Sequence, residues 1–124
     1  MKRILVFDDD KSIIGIMKFI LEAKGWEVQC FTQCNDAVYQ IRSHQPGIIM
    51  MDNNIPDHGG IFAIKTIKQQ IDLMHIPIIY FTAHDNIKNL AKEAGADAYL
   101  AKPFDLDKLE ELIETLSSPK PIGC

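Results

Sequence analysis

The pentapeptides GIIMM at residues 47–51 and PIIYF at residues 77–81 decide the fold. Their central positions are apolar without interruption, which is typical of strands covered by helices on both faces of a parallel sheet. Around them, short apolar runs alternate five times with segments of helical period, and this rhythm predicts five βα units. Because so few strands cannot close an eight-stranded barrel, we expect an open, doubly wound α/β sheet with strand order 2-1-3-4-5.

The predicted strands cover residues 3–7, 26–31, 47–51, 77–81 and 98–101. Between them we expect helices with apolar side chains three and four residues apart, of which the first ends at Gly25 and the third covers about residues 61–71. No linker or low-complexity stretch interrupts the pattern. We therefore expect one domain over residues 1–118 and a flexible C-terminal tail at residues 119–124.

Composition restricts the possible partners. The 124 residues are 47% hydrophobic, and 17 acidic against 13 basic side chains give a net charge of −4, which disfavours nonspecific nucleic-acid binding. The apolar runs are far shorter than the roughly 20 residues that a membrane span requires, and the start of the chain has no signal-peptide pattern. We therefore expect a cytoplasmic protein that binds neither nucleic acid directly nor a membrane.

Polar side chains stand where four of the predicted strands end. They are Asp8, Asp9, Asp10, Asp52, Thr82 and Lys102. Because parallel strands end at one edge of a sheet, next to the point where strand order reverses, these side chains are expected to converge. Asp10 has a second interpretation as the N-cap of the first helix. Lys102 precedes Pro103, and a cis bond there would direct the ammonium toward the site.

Carboxylates packed this closely need a shared proton or a cation. An oxygen-only donor set favours Mg²⁺, which keeps open positions for phosphate oxygens. An aspartate beside such an ion can form an aspartyl-phosphate, while a lysine and a hydroxyl stabilise the transferring oxygens. The residues Asp52, Lys102 and Thr82 fit these roles.

Other kinds of site have little support in the sequence. His44, His58, His75 and His84 have no metal-ligand spacing, which argues against a transition-metal centre. His58 and His84 follow strand ends, so both are candidates to line the site entrance. The sequence contains neither GxGxxG nor a Walker loop, which argues against nucleotide binding.

Four motifs carry a family resemblance: ILVFDDD at the first strand, IIMMDNNIP around Asp52, IIYFTA around Thr82 and GADAYLAKPF around Lys102. In this order and spacing, residues 2–117 closely resemble the receiver domain of two-component response regulators, the CheY-like superfamily. The resemblance implies a flavodoxin-like, three-layer αβα sandwich. It also implies a stand-alone phosphoacceptor module in a phosphorelay.

The resemblance assigns roles to the residues that match its motifs. Asp52 is the implied phosphoacceptor, and Lys102 contacts the phosphoryl group. Asp9 and Asp52 bind Mg²⁺ directly, Asp8 acts through the ion or its water, and the Asn54 backbone carbonyl is a further ligand. The implied phosphodonor is a sensor histidine kinase or a phosphotransfer protein.

The resemblance also implies a switch. Thr82 moves toward the phosphoryl group as Tyr99 changes rotamer, and the fourth helix, fifth strand and fifth helix present the result to a downstream protein. Asn54 and His84 occupy positions that set the lifetime of the phosphoryl group. The implied assembly is a monomer or a phosphorylation-dependent dimer through that surface. The module supports its own phosphorylation and dephosphorylation but is not an enzyme with a separate substrate.

The sequence departs from the family pattern at one place, and two alternative functions remain open. After Pro56 the family usually has an apolar residue and then a small polar or acidic one, whereas this chain has Asp57, His58, Gly59 and Gly60, which puts partner contacts there in doubt. The run from Asp8 to Ser12 also reads as DxDxS, the pattern of a haloacid-dehalogenase-type phosphatase with Asp8 as nucleophile. A module that binds its partner without phosphorylation is the other alternative.

Overall fold

A computed structural model describes residues 2–34, 36–52 and 59–117. Strands and helices alternate along the chain as follows: β1 (Arg3–Phe7), α1 (Lys11–Ala23), β2 (Glu27–Phe31), α2 (Ala37–His44), β3 (Ile48–Asp52), α3 (Gly59–Lys68), β4 (Ile78–Thr82), α4 (Ile87–Ala94), β5 (Ala98–Ala101) and α5 (Leu106–Ser117). The strands form one parallel sheet in the order β2-β1-β3-β4-β5. The predicted α/β class and strand order are therefore confirmed.

The sheet separates two hydrophobic layers. Successive strand residues point to opposite faces, so Leu5 and Phe7 of β1 pack with α2, α3 and α4, while Ile4 and Val6 pack with α1 and α5. The same alternation holds along β3 and β4, whose five residues each are all buried. Each aliphatic side chain buried in this way contributes about 2 kcal/mol to stability. This two-sided burial explains the uninterrupted apolar runs.

Two helix ends follow the sequence pattern. Gly25, just after α1, and Gly95, the C-cap of α4, have φ angles of 90° and 88°, a left-handed conformation that glycine adopts without steric cost. At the other end of α1, the Asp10 side chain accepts hydrogen bonds from the N–H groups of Ser12 and Ile13, at 2.9 and 3.4 Å. Asp10 is therefore the N-cap of α1.

The third helix differs from its predicted extent. It begins at Gly59 and ends at Lys68, so the prediction that it continues to Ile71 was wrong. The Gln70 carbonyl instead accepts hydrogen bonds from the N–H groups of Leu73 and Met74, which closes a turn. As a result Leu73 is buried and Ile71 is 89% exposed.

Strands β3 and β4 each extend one residue beyond the prediction, to Asp52 and Thr82. Two candidate site residues are thus held by the hydrogen-bond ladder of the sheet rather than by a loop. In the described part of the chain, no helix is both long and apolar enough to cross a membrane. The assignment of residues 119–124 to a tail concerns residues outside the described ranges and stays a prediction.

Candidate functional site

The predicted site residues lie at the carboxyl edge of the sheet. Asp8 continues β1 and donates its N–H to the Phe31 carbonyl at 3.0 Å, while Asp52 ends the neighbouring strand β3. The order of the sheet reverses between these two strands. Lys102 follows β5 and donates its N–H to the Thr82 carbonyl at 2.9 Å. The backbone hydrogen bonds of the sheet therefore fix the main-chain positions of Asp8, Asp52 and Lys102.

Lys102 joins two buried carboxylates. Its Nζ donates to Asp52 Oδ1 at 2.8 Å and to Asp8 Oδ2 at 3.1 Å. Asp8 and Asp52 are 0% and 1% exposed, and the Lys102 side chain is 15% exposed. Burial alone would lower the pKa of the Lys102 ammonium, but the hydrogen bonds to Asp52 and Asp8 outweigh this effect and the pKa is raised above its ordinary value.

An aromatic ring also contacts the Lys102 ammonium. Lys102 Nζ lies 4.5 Å from the centroid of the Phe81 ring, a cation–π distance. Phe81 is fully buried in the layer of α1 and α5, and its backbone pairs with Asp52. The ring and the two carboxylates therefore hold the ammonium in a fixed place.

The acidic residues form a group that is able to bind a cation. Carboxylate oxygens of Asp8, Asp9 and Asp52 lie within 4.8 Å of one another. Asp9 is exposed whereas the other two are buried, so the group opens to solvent on the side of Asp9. Three carboxylates against one ammonium leave an excess of negative charge. This oxygen-only donor set fits a hard divalent cation such as Mg²⁺.

Among the described residues, Asp10 is not a member of this acidic group. Its carboxylate caps α1, and its N–H donates to Asp8 Oδ1 at 2.9 Å. The described part of the chain places no histidine in such a group. The two interpretations of Asp10 are thus resolved in favour of the helix cap.

Thr82 ends β4, and His84 lies in the connection between β4 and α4. Thr82 is 2% exposed, and its Oγ1 accepts a hydrogen bond from the His84 N–H at 3.4 Å. His84 Nδ1 accepts from the Asn86 N–H at 3.0 Å, which leaves Nε2 as the protonated nitrogen of the neutral ring. Tyr99, at the middle of β5, is 39% exposed.

Of three further residues named in the sequence analysis, Pro103 lies among the described residues, whereas Asn54 and His58 do not. The Lys102–Pro103 peptide bond is cis. Asn54 and His58 lie outside the described residues, as does Asp57 of the unusual glycine-rich segment, whereas Gly59 and Gly60 begin α3.

Tyr80 carries a buried hydroxyl that the sequence analysis missed. The side chain is 0% exposed in the layer of α2, α3 and α4, and its Oη has no hydrogen-bond partner among the described residues. Burial, together with the negative charges of Asp52 and Glu93, raises the pKa of Tyr80 to about 12. An unsatisfied buried hydroxyl lowers stability by its desolvation cost.

We expect Tyr80→Phe to raise the free energy of unfolding by about 1 kcal/mol, because the substitution removes the unsatisfied hydroxyl and keeps the ring. Denaturant unfolding measured at neutral pH tests this. Tyr99→Phe is the matched control, since Tyr99 on the neighbouring strand β5 is exposed and the loss of its hydroxyl should be neutral. A stability loss in Tyr80→Phe would mean that the hydroxyl has a partner in solution.

The contact between the Phe81 ring and Lys102 Nζ is the other feature that the sequence analysis missed. The signal was present, because the period of two along β4 and β5 places Phe81 and Leu100, and by continuation Lys102, on one face of the sheet. Strand order and register are both needed before this alternation brings the ring and the ammonium together.

Comparison with known proteins agrees with this geometry. The family profile described as the response regulator receiver domain matches residues 4–114. A curated relative, the DNA-binding transcriptional regulator NtrC from Proteus hauseri, is 35% identical over 111 residues. That alignment covers 88% of this chain and 23% of the relative, so the chain spans less than a quarter of that protein's length.

Solved structures are similar over nearly the whole chain. The structure of a protein from Chloroflexus aurantiacus described as a response regulator superposes with a TM-score of 0.89 at 28% identity, over 95% of this chain and 98% of its own. The receiver domain of a sensor histidine kinase from Pseudomonas aeruginosa, solved with a magnesium ion coordinated in its active site cleft, gives a TM-score of 0.86 at 26% identity. It covers 94% of this chain and 98% of its own.

Proposed function

Since the chain belongs to the response regulator receiver domain family, we propose that Asp52 accepts a phosphoryl group from a phosphohistidine. The donor is a sensor histidine kinase or a phosphotransfer protein. The observation that carries this proposal is the Asp52 carboxylate itself, which is buried, ends β3 and binds Lys102 Nζ at 2.8 Å. As a receiver domain the chain is a signalling module rather than an enzyme that turns over a separate substrate.

The chemistry follows from the positions of the side chains. One Asp52 oxygen attacks the phosphorus, and the bond between phosphorus and the donor imidazole breaks with its electron pair leaving on nitrogen. Lys102 stabilises the charge of the transferring oxygens, because Asp8 and the Phe81 ring already hold its ammonium in place. The Thr82 hydroxyl, drawn inward after the transfer, donates to one of those oxygens.

The acidic group would hold Mg²⁺ through Asp9 and Asp52, with Asp8 acting through the ion or its water and the Asn54 carbonyl as a further ligand. When bound, the ion neutralises carboxylate and phosphate charge and orients the phosphoryl oxygens. The fit rests on the three carboxylates within 4.8 Å of one another. Hydrolysis of the aspartyl-phosphate by water returns the resting state, and Asn54 and His84 set its rate.

The readout passes through β5. Thr82 pairs with Ala101 and Tyr80 with Tyr99 in the β4–β5 register. When charge is added at Asp52, the state with Thr82 and Lys102 drawn inward becomes favoured, and Tyr99 changes rotamer. The surface of α4, β5 and α5 then presents this change to a downstream protein or to a second copy of the chain, in the cytoplasm.

The direct test is the intact mass of the protein after incubation with acetyl phosphate, with Mg²⁺ or with EDTA. We expect one phosphoryl adduct that requires Mg²⁺, together with a stable complex with beryllofluoride, which mimics the phosphoryl group. An adduct that forms equally well in EDTA, or the absence of both the adduct and the beryllofluoride complex, would overturn the proposal.

A variant pair tests the proposed cation ligands. Asp9→Asn removes one carboxylate of the acidic group and should slow Mg²⁺-dependent labelling by at least about tenfold, since the loss of even indirect metal contacts costs that much. Asp10→Asn removes the neighbouring charge but keeps the helix cap, because asparagine caps as well as aspartate. The labelling rates at several Mg²⁺ concentrations check this. Equal rates in the two variants would exclude Asp9 as a ligand.

A further inference from the structure

The Tyr80 side chain lies on the same face of the sheet as the two residues of the proposed switch. Tyr80 stands two residues before Thr82 in β4, so both side chains point to one face. In the β4–β5 register Tyr80 pairs with Tyr99, which places the Tyr99 side chain on that face as well. The face therefore carries Thr82, Tyr99 and a third hydroxyl that the phosphoryl-transfer mechanism does not use.

This third hydroxyl is buried without a hydrogen bond. The Tyr80 side chain is 0% exposed, and its Oη has no partner among the described residues. The ring packs in the buried hydrophobic cluster that includes Ile64 of α3 and Ala91 of α4. A hydroxyl that has lost its water and gained no partner raises the free energy of the state that contains it. A state in which the Tyr80 hydroxyl finds a partner is therefore favoured.

The Tyr99 ring has room to change its position. It is 39% exposed and borders an open groove of about 510 Å³ between α4, β5 and α5. Ala91 of α4 lines this groove and also belongs to the buried cluster of Tyr80, so the groove and the cluster meet at a small side chain. Neighbouring strands lie about 4.8 Å apart. Two tyrosine side chains at paired positions are therefore within reach of each other once both point inward.

We propose that the Tyr80 hydroxyl is the hydrogen-bond partner that Tyr99 gains when the switch is activated. This inference rests on the proposed function, in which Tyr99 changes rotamer after charge is added at Asp52. In the resting state the Tyr80 hydroxyl is buried without a partner, and in the activated state the Tyr99 hydroxyl pairs with it. Tyr80 is a positioning residue that acts through Tyr99, and it favours the activated state because only that state pairs its hydroxyl.

Two other partners for the Tyr80 hydroxyl fit less well. Thr82 is drawn toward the phosphoryl group when the switch is activated, so its hydroxyl is used there. Glu93 of α4 has a side chain that is 61% exposed and pairs with Lys65 Nζ at 3.7 Å, which holds its carboxylate at the surface. Neither restriction applies to the Tyr99 hydroxyl.

A double-variant cycle tests the pairing, with beryllofluoride affinity measured by calorimetry in excess Mg²⁺. Tyr80→Phe should weaken the affinity about tenfold, because the Tyr99 hydroxyl would then be buried without a partner in the activated state. Tyr99→Phe should weaken it about fivefold, the factor that corresponds to one net hydrogen bond. Tyr80→Phe/Tyr99→Phe should bind about as tightly as Tyr99→Phe, since neither hydroxyl remains, whereas independent effects would multiply to about fiftyfold.

A control variant and a spectroscopic signal distinguish pairing from a structural effect. Tyr39→Phe removes the third tyrosine hydroxyl of the chain, on α2, where the side chain is 69% exposed, and should keep the parent affinity. Carbon NMR of the tyrosine Cζ atoms reports hydrogen bonding of each hydroxyl. Beryllofluoride should shift the Tyr80 and Tyr99 signals of the parent, and the Tyr80 signal should stay in place in Tyr99→Phe.

Several results would overturn the pairing of Tyr80 with Tyr99. These are losses that multiply in the double variant, an unchanged affinity in Tyr80→Phe, an equal loss in Tyr39→Phe, or a Tyr80 signal that still shifts in Tyr99→Phe. A loss of stability in Tyr80→Phe without beryllofluoride would also do so, because the hydroxyl would then have a partner in the resting state. A parent that forms neither the beryllofluoride complex nor the phosphoryl adduct overturns the proposed function, whereas a parent that forms both while the losses multiply overturns this inference alone.

Discussion

Asp52→Asn is expected to reduce phosphoryl labelling by acetyl phosphate below detection, a loss of more than about a hundredfold, because an amide oxygen is not a competent nucleophile. The fold should remain, since asparagine has the same shape and its Oδ1 still accepts a hydrogen bond from Lys102 Nζ. We expect the free energy of unfolding to stay within about 1 kcal/mol of the parent value. Intact mass and denaturant unfolding on the same sample check both statements.

Two further assays, of phosphatase activity and of partner binding, separate the alternatives that the sequence leaves open. A phosphatase that uses Asp8 would release many equivalents of phosphate from p-nitrophenyl phosphate and would lose this activity in Asp8→Asn rather than in Asp52→Asn. A module that works without phosphorylation would bind its partner equally well in Asp52→Asn. Persistent labelling of Asp52→Asn would contradict the assignment of the phosphoacceptor.

The fold could be predicted from the sequence because a strand that is buried on both faces of a sheet has a continuous run of apolar residues. This holds for β3 and β4, in each of which all five residues are buried. Once the strands are parallel, their carboxyl ends must meet at one edge, so the sequence alone brings Asp8, Asp52 and Lys102 together. The contacts of Lys102 with both carboxylates agree with this reasoning.

The features that were missed depend on tertiary packing. Periodicity placed Ile71 on the third helix, but a turn closed by the Gln70 carbonyl buries Leu73 instead and leaves Ile71 exposed. Trp26 reads as a strand residue, yet its N–H bonds to the Leu21 carbonyl and β2 begins at Glu27. The Tyr80 hydroxyl, which has no hydrogen-bond partner among the described residues, could not be predicted for a related reason, since a tyrosine in an apolar run does not indicate which groups surround its oxygen.

Lys102→Met should lower the free energy of unfolding by about 3 kcal/mol at neutral pH in EDTA, because it leaves Asp8 and Asp52 buried without their ammonium. Methionine keeps much of the side-chain volume over Phe81, so packing loss is a minor part of this effect. Mg²⁺ should restore more stability to the variant than to the parent, since a bound cation then supplies the missing positive charge. Denaturant unfolding in EDTA and in Mg²⁺ measures this difference.

The pH dependence gives an independent check. The pKa of Lys102 is raised in the folded state, so the stability it contributes is fully present below the ordinary value of 10.5 and is lost as pH rises through the folded pKa. The parent should therefore lose stability in this alkaline range, and Lys102→Met should lack that part of the loss. Tyr80 also lowers stability between its ordinary pKa of 10.0 and about 12, but both proteins retain it, so their difference isolates Lys102.

A double variant distinguishes the loss of charge pairing from simple damage to the site. Asp8→Asn/Lys102→Met removes one buried carboxylate together with the ammonium, so its unfolding free energy should lie above that of Lys102→Met, although two positions are altered. If the double variant is less stable than Lys102→Met, packing and not electrostatics explains the loss, and the role of Lys102 as the counterion of Asp8 and Asp52 would have to be abandoned.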